Sequence, residues 1–152
     1  MAKTLFFISL LILLFSHSYG NPNSSLELSP SAHVELNRYG FPIGLLPTNV
    51  LGYSLNDTSG AFSVNLDSAC KILLPPDNYL ATYSKTVRGK IVAGRIAELD
   101  GIRVRAFFKW WSITGIRSSG DNLVFEVGMV TAKFPAKNFN ESPGCDGQRS
   151  AS

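Results

Sequence analysis

Apolar residues follow three spacing regimes along this chain, and each regime predicts a different element. Leu5 to Phe15 is apolar apart from Ser9 and sits behind one positive charge at Lys3. It is too short for the roughly 20 residues of a membrane-spanning helix. The small residues Ser18 and Gly20 then stand at the −3 and −1 positions of a cut after Gly20, so residues 1–20 read as a secretory signal peptide. Residues 21–28 are polar and read as a flexible leader. Next, Ala32, Leu36 and Tyr39 fall at helical spacing. Ser29 and Pro30 resemble an N-cap followed by proline in the first turn, and Gly40-Phe41-Pro42 resembles a stop. One short helix is predicted over Pro30 to Tyr39.

Beyond Pro47 the period falls to two. VLGYSL and AFSVNL flank the turn cluster NDTSG, which predicts a hairpin, and CKILL ends at the turn PPDN before YLATYSKTVRGKI resumes an extended pattern. In RIAELDGIRVRAFFKWW, the Asp100-Gly101 dipeptide suggests a two-residue hairpin loop, because such loops need positive φ at their central positions. That register would set Leu99 opposite Ile102, Glu98 opposite Arg103 and Ala97 opposite Val104. A turn at SSGDN leads into LVFEVGMVTAKF, ended by Pro135. A short helix followed by seven or eight strands, without alternating helices, predicts a mostly β fold, a partly open barrel or sandwich spanning 29–145 as one domain. Residues 146–152 read as a disordered tail.

Parity along IRVRAFFKWW divides that segment into two faces if it is one strand. Ile102, Val104, Ala106, Phe108 and Trp110 would face the core. Arg103, Arg105, Phe107, Lys109 and Trp111 would face outward, a mixture of cations and aromatics suited to an anionic ligand with an apolar or sugar-ring surface. The alternative is a solvated strand face. Charge concentrates here: eight basic residues against two acidic ones lie between Lys85 and Arg117, whereas the whole chain carries only +3. That overall balance is too mild for a nucleic-acid partner.

Both cysteines, Cys70 and Cys145, fall in the mature part, and an even count in a secreted chain reads most simply as one disulfide. It would tie the Pro-Gly-rich tail to the strand region. The alternative is two thiols, one buried and one free to pair between chains. Sequons at Asn23, Asn56 and Asn140 are candidate glycosylation sites, the last weakened by Pro143.

Catalytic chemistry is sparse. Past the signal peptide His33 is the one histidine, so a general base in an ester hydrolase would have to be that residue. No zinc, phosphate-loop or nucleophile-elbow motif occurs, and no cofactor, metal site or transmembrane segment of the mature chain is expected. The oligomeric state is not legible.

The succession YGFPIGLLP, SLNDTSGAFSVNLDSAC, VRGKIVAGRIAELDGIRVRAFFKWWSITGIR and LVFEVGMVTAKF, with a final PGC, resembles the plant secreted family of unknown function numbered 538 (DUF538), over Ser29 to Cys145. The resemblance implies a mostly β, partly open barrel. It also brings two family-level proposals, a likeness to bactericidal permeability-increasing lipid-binding proteins and an ester-hydrolase activity. Neither assigns catalytic residues here. The expectation is a secreted, extracellular or cell-wall protein that binds a lipid or amphipathic ligand, with ester hydrolysis or binding to acidic wall polysaccharide as alternatives. FPIGLLP (Phe41 to Pro47) is read as a connector that closes the core, or else as the rim of an apolar site.

Overall fold

A computed structural model describes residues 31–145. The expected signal peptide, leader, Ser29 cap, Asn23 sequon and tail lie outside the described residues. Helix α1 is Ala32–Arg38, two residues shorter at its start than expected, because Ser31 is extended and its hydroxyl accepts the Val34 N–H as the N-cap. At the other end Gly40 (φ 91°) takes the left-handed conformation. Its N–H reaches the Asn37 carbonyl while the Phe41 N–H reaches Leu36, which satisfies the terminal carbonyls.

Eight strands follow: β1 (Val50–Leu55), β2 (Ala61–Leu66), β3 (Cys70–Leu74), β4 (Tyr79–Val92), β5 (Arg95–Ala106), β6 (Lys109–Ser119), β7 (Asn122–Val127) and β8 (Val130–Pro135). All pairings are antiparallel, in the order β1-β2-β4-β5-β6-β7-β8, so β1 and β8 are edges and the sheet does not close. The mostly β, open architecture is the one the sequence predicts. Strand β4 is the axis: β3 pairs with its first half, β2 with its second, and β5 runs along its other edge.

The Asp100-Gly101 hairpin is not formed. Both residues lie inside β5, and the turn between β4 and β5 is Ala93-Gly94, where Val92 pairs with Arg95 and Ile91 with Ile96. Positive φ is indeed needed near Asp-Gly, but for a different purpose. Glu98 (φ 51°) and Gly101 (φ 109°) sit where the register of β4 and β5 slips. Each irregularity lets the strand skip a residue, so that Ile96, Leu99, Ile102 and Val104 are all buried although their spacing is not two. A side chain at position 101 would crowd the Thr86 carbonyl.

FPIGLLP closes one end of the core. Phe41, Leu45, Leu46 and Pro47 are buried, and Ile43–Leu45 forms a single 3-10 turn. The Tyr83 hydroxyl donates to the Leu45 carbonyl at 2.7 Å, and burial pushes the phenol pKa well above its ordinary value. The C-terminal segment crosses directly over Gly44, where any side chain would collide with the Phe139 carbonyl. Ser142 Oγ donates to the Ile43 carbonyl and the Thr48 N–H to Pro143. Cys145 then joins Cys70 on β3 in a disulfide with Cα atoms 5.2 Å apart, as the cysteine count suggests.

Candidate functional site

Three hairpin tips meet at the end of the sheet opposite α1. The first is Pro75–Asn78 between β3 and β4, with Leu74 paired to Tyr79. The second is Phe107-Phe108 between β5 and β6, with Ala106 paired to Lys109. The third is Gly128-Met129 between β7 and β8, with Val127 paired to Val130. The register Ala81↔Val104 and Ile113↔Val127 aligns the strands that carry them. Two of the tips were not legible. LVFEVGMVTAKF is two strands, and Phe107-Phe108 takes positive φ at both positions (52° and 65°), the signature of a type I′ turn without its usual Asn or Gly.

That turn overturns the two-face division of residues 102–111. Beyond it the chain reverses, so Trp111 pairs with Val104 and shares the inner face, while Trp110 pairs with Arg105 and shares the outer one. Phe108, expected in the core, is 94% exposed, and Phe107 is 86% exposed. The five residues grouped as one ligand face are therefore distributed. Trp111 and Phe107 line an inner cavity, Arg103 and Arg105 flank Trp110 outside with guanidinium carbons 5.8 and 5.9 Å from its ring, and Lys109 is exposed beside the tip.

The cavity holds about 560 Å³. Val104, Ala106 and Trp111 form one wall, and Phe125, Phe134 and Phe139 form the other. Phe125 meets Phe134 edge-on at 5.9 Å and Phe139 at 5.5 Å, which fixes that aromatic wall. Trp111 is held by its indole N–H, which donates to the Ala106 carbonyl, and by close approach of its ring to Gly128. No lining side chain is charged. Recognition inside the cavity rests on shape and apolar contact. The volume lies in the range of about 300–1,000 Å³ usual for ligand sites. It opens to solvent at the tips, where the lining residues Phe107 and Met129 stand exposed.

His33 does not join this cavity. Its Nε2 lies 2.9 Å from the Pro47 carbonyl, which makes Nε2 the protonated nitrogen and the ring a strut between α1 and the connector. Among the described residues no hydroxyl or carboxylate hydrogen-bonds to it. No group of three or more metal-ligating side chains gathers among them either. Asn56 is exposed at the β1–β2 tip, its Oδ1 accepting the Thr58 and Ser59 N–H groups, and Asn140 is exposed just after a second 3-10 turn, Ala136–Phe139. The residues missed from sequence, Phe125, Phe134, Ala132 and Phe139, carry no local signal. They line a cavity because α1 covers only the other half of the inner face and leaves theirs uncovered.

Uncharacterized protein At5g01610 of Arabidopsis thaliana is similar to this chain, 24% identical over 98 residues that make up 64% of the chain and 56% of that protein. The chain thus matches little more than half of that relative's length. The family described as "Protein of unknown function, DUF538" matches residues 32–140, from the first residue of α1 past the end of β8. With all eight strands and both cavity walls inside that match, the chain belongs to the DUF538 family.

Proposed function

We propose that this is a secreted binding protein that takes the apolar part of an amphipathic ligand, a lipid or lipid-like molecule, into the cavity behind the three hairpin tips. One observation carries the reading: about 560 Å³ of uncharged, aromatic-walled space at the strand ends. A fatty or isoprenoid tail matches such a lining, and a polar head would stay at the tips, near Lys109. Ala132→Trp places an indole inside the cavity from β8. It should weaken uptake of a fluorescent fatty acid at least tenfold while the melting transition stays cooperative. Unchanged uptake by a folded Ala132→Trp chain would remove the cavity from the account.

A second reading has its own observation. Trp110 between Arg103 and Arg105 is a cationic aromatic platform on the outer face, which suits an acidic wall polysaccharide. Binding there should weaken steeply with salt, and tail burial should not. The ester-hydrolase alternative would need His33 to exchange its contact with Pro47 for a nucleophile. Secretion and glycans at Asn23, Asn56 and Asn140 belong to this proposal, and intact mass of the secreted protein before and after deglycosylation reads both.

A further inference from the structure

Phe107 and Phe108 are a puzzle for folding alone. A type I′ turn wants Asn or Gly at its central positions, because positive φ forces Cβ against the backbone. Here both positions carry phenylalanine, in the left-handed region, with rings 86% and 94% exposed. Exposed rings contribute little packing, so the backbone strain is not recovered within the described fold. At the adjacent tip, Met129 is fully exposed and Val130 is 65% exposed, so the two tips form one apolar edge around the cavity mouth. Backbone strain together with exposed apolar bulk points to a partner that supplies the missing burial.

Charge narrows the partner. Arg103, Arg105 and Lys109 are exposed within a few residues of the Phe tip, and among the described residues none has a carboxylate partner. Toward the opposite end most cations are paired, Lys90 with Glu98 and both Arg95 and Arg117 with Glu126, while Arg88 has no carboxylate partner among the described residues. Apolar tips backed by three unpaired cations, against one exposed acid, Asp77, on the third tip, complement a bilayer surface, with apolar acyl chains below anionic headgroups. A polysaccharide would answer the charge but leave the rings in water.

We infer that Phe107, Phe108, Met129 and Val130 are a membrane-docking edge that inserts into the surface of an anionic bilayer, with Arg103, Arg105 and Lys109 against the headgroups. Docking sets the cavity mouth at the depth where a lipid tail can enter, and it stands or falls separately from ligand uptake.

The test is flotation of the full chain with vesicles of phosphatidylcholine alone and of phosphatidylcholine mixed with phosphatidylglycerol. The wild type should float with the mixed vesicles, less with the neutral ones, and less again as salt rises. Phe107→Asn with Phe108→Gly supplies the residues the turn prefers. It should lose at least tenfold of the partitioning while melting at or above the wild-type temperature, and Phe108→Gly alone, which leaves the cavity lining intact, should lose partitioning while still taking up a soluble fluorescent fatty acid. Met129→Ser should act in the same direction from the other tip, and Lys109→Gln should lower the preference for anionic vesicles about fivefold. Flotation of the Asn-Gly chain equal to wild type, or no wild-type flotation at all, overturns docking. So does binding of the wild type to polygalacturonate without binding to vesicles. Docking without fatty-acid uptake by the wild type would instead discard the cavity reading and leave docking in place.

Discussion

The two ends of the sheet use the same strands and the same inner face, yet one is filled and the other is left open. At one end α1 and FPIGLLP cover the sheet, Phe41 is 1% exposed, and the interior there retains only about 70 Å³ of open space. Four of its outer cations, Arg38, Lys90, Arg95 and Arg117, are paired with carboxylates. At the other end the strands run on past the last covering element, the space grows to about 560 Å³, and aromatic tips stand in solvent beside unpaired cations. Strand alternation does not distinguish these ends, since Ile96 and Val104 both point inward on β5. What differs is coverage. The filled end supplies the packing, and the uncovered end leaves its apolar surface open.

Truncation should expose that division most strongly. Phe41→Ala removes a ring from the filled end and should cost about 3–5 kcal/mol in denaturant unfolding. Leu74→Ala, on the cavity wall, only widens an existing space and should cost less than about 1.5 kcal/mol while changing ligand uptake. Equal costs would erase the distinction. The disulfide secures the filled end as well, because the C-terminal segment it anchors lies over Gly44. Cys70→Ser with Cys145→Ser should lower stability by about 2–5 kcal/mol, read by the same unfolding curves.

Tyr83 lies where the two ends meet, and its effect is smaller and depends on pH. Losing its hydrogen bond to Leu45 in Tyr83→Phe should cost about 1 kcal/mol near neutrality. Burial raises the folded phenol above its ordinary pKa of 10.0, so the folded state keeps this proton more tightly than the unfolded state does. The contribution is therefore intact below about pH 10 and is lost as pH rises beyond it. Melting temperatures taken through that range should fall more steeply for wild type than for Tyr83→Phe, and parallel curves would argue against a buried phenol.

The smallest expected change is a gain. Relieving the Phe107-Phe108 turn with Asn-Gly should stabilise the open end by about 1–2 kcal/mol, a rise of a few degrees in melting temperature. A loss instead would mean that the rings pack within the protein.

Legibility followed the same boundary. The helix, the NDTSG hairpin, the PPDN turn, FPIGLLP as a closing connector and the Cys70–Cys145 bond could all be read, because glycine, proline and cysteine mark backbone events directly. Asp100-Gly101 was misread because a turn and a strand irregularity both need positive φ, and the dipeptide does not say which. The Phe107-Phe108 tip was invisible because its residues contradict its geometry. That single omission reversed Trp110 and Trp111 and scattered the expected ligand face. The cavity itself had no sequence signature, since it is defined by where covering ends.

The most direct test of the account lies in those two tryptophans. Trp110→Phe leaves Trp111 as the reporter inside the cavity, and Trp111→Phe leaves Trp110 outside between the arginines. A fatty acid brominated along its chain should quench the emission of the Trp110→Phe protein saturably and leave the Trp111→Phe protein nearly unchanged. Equal quenching of both, or none in the Trp110→Phe protein, would contradict a lipid tail in the cavity.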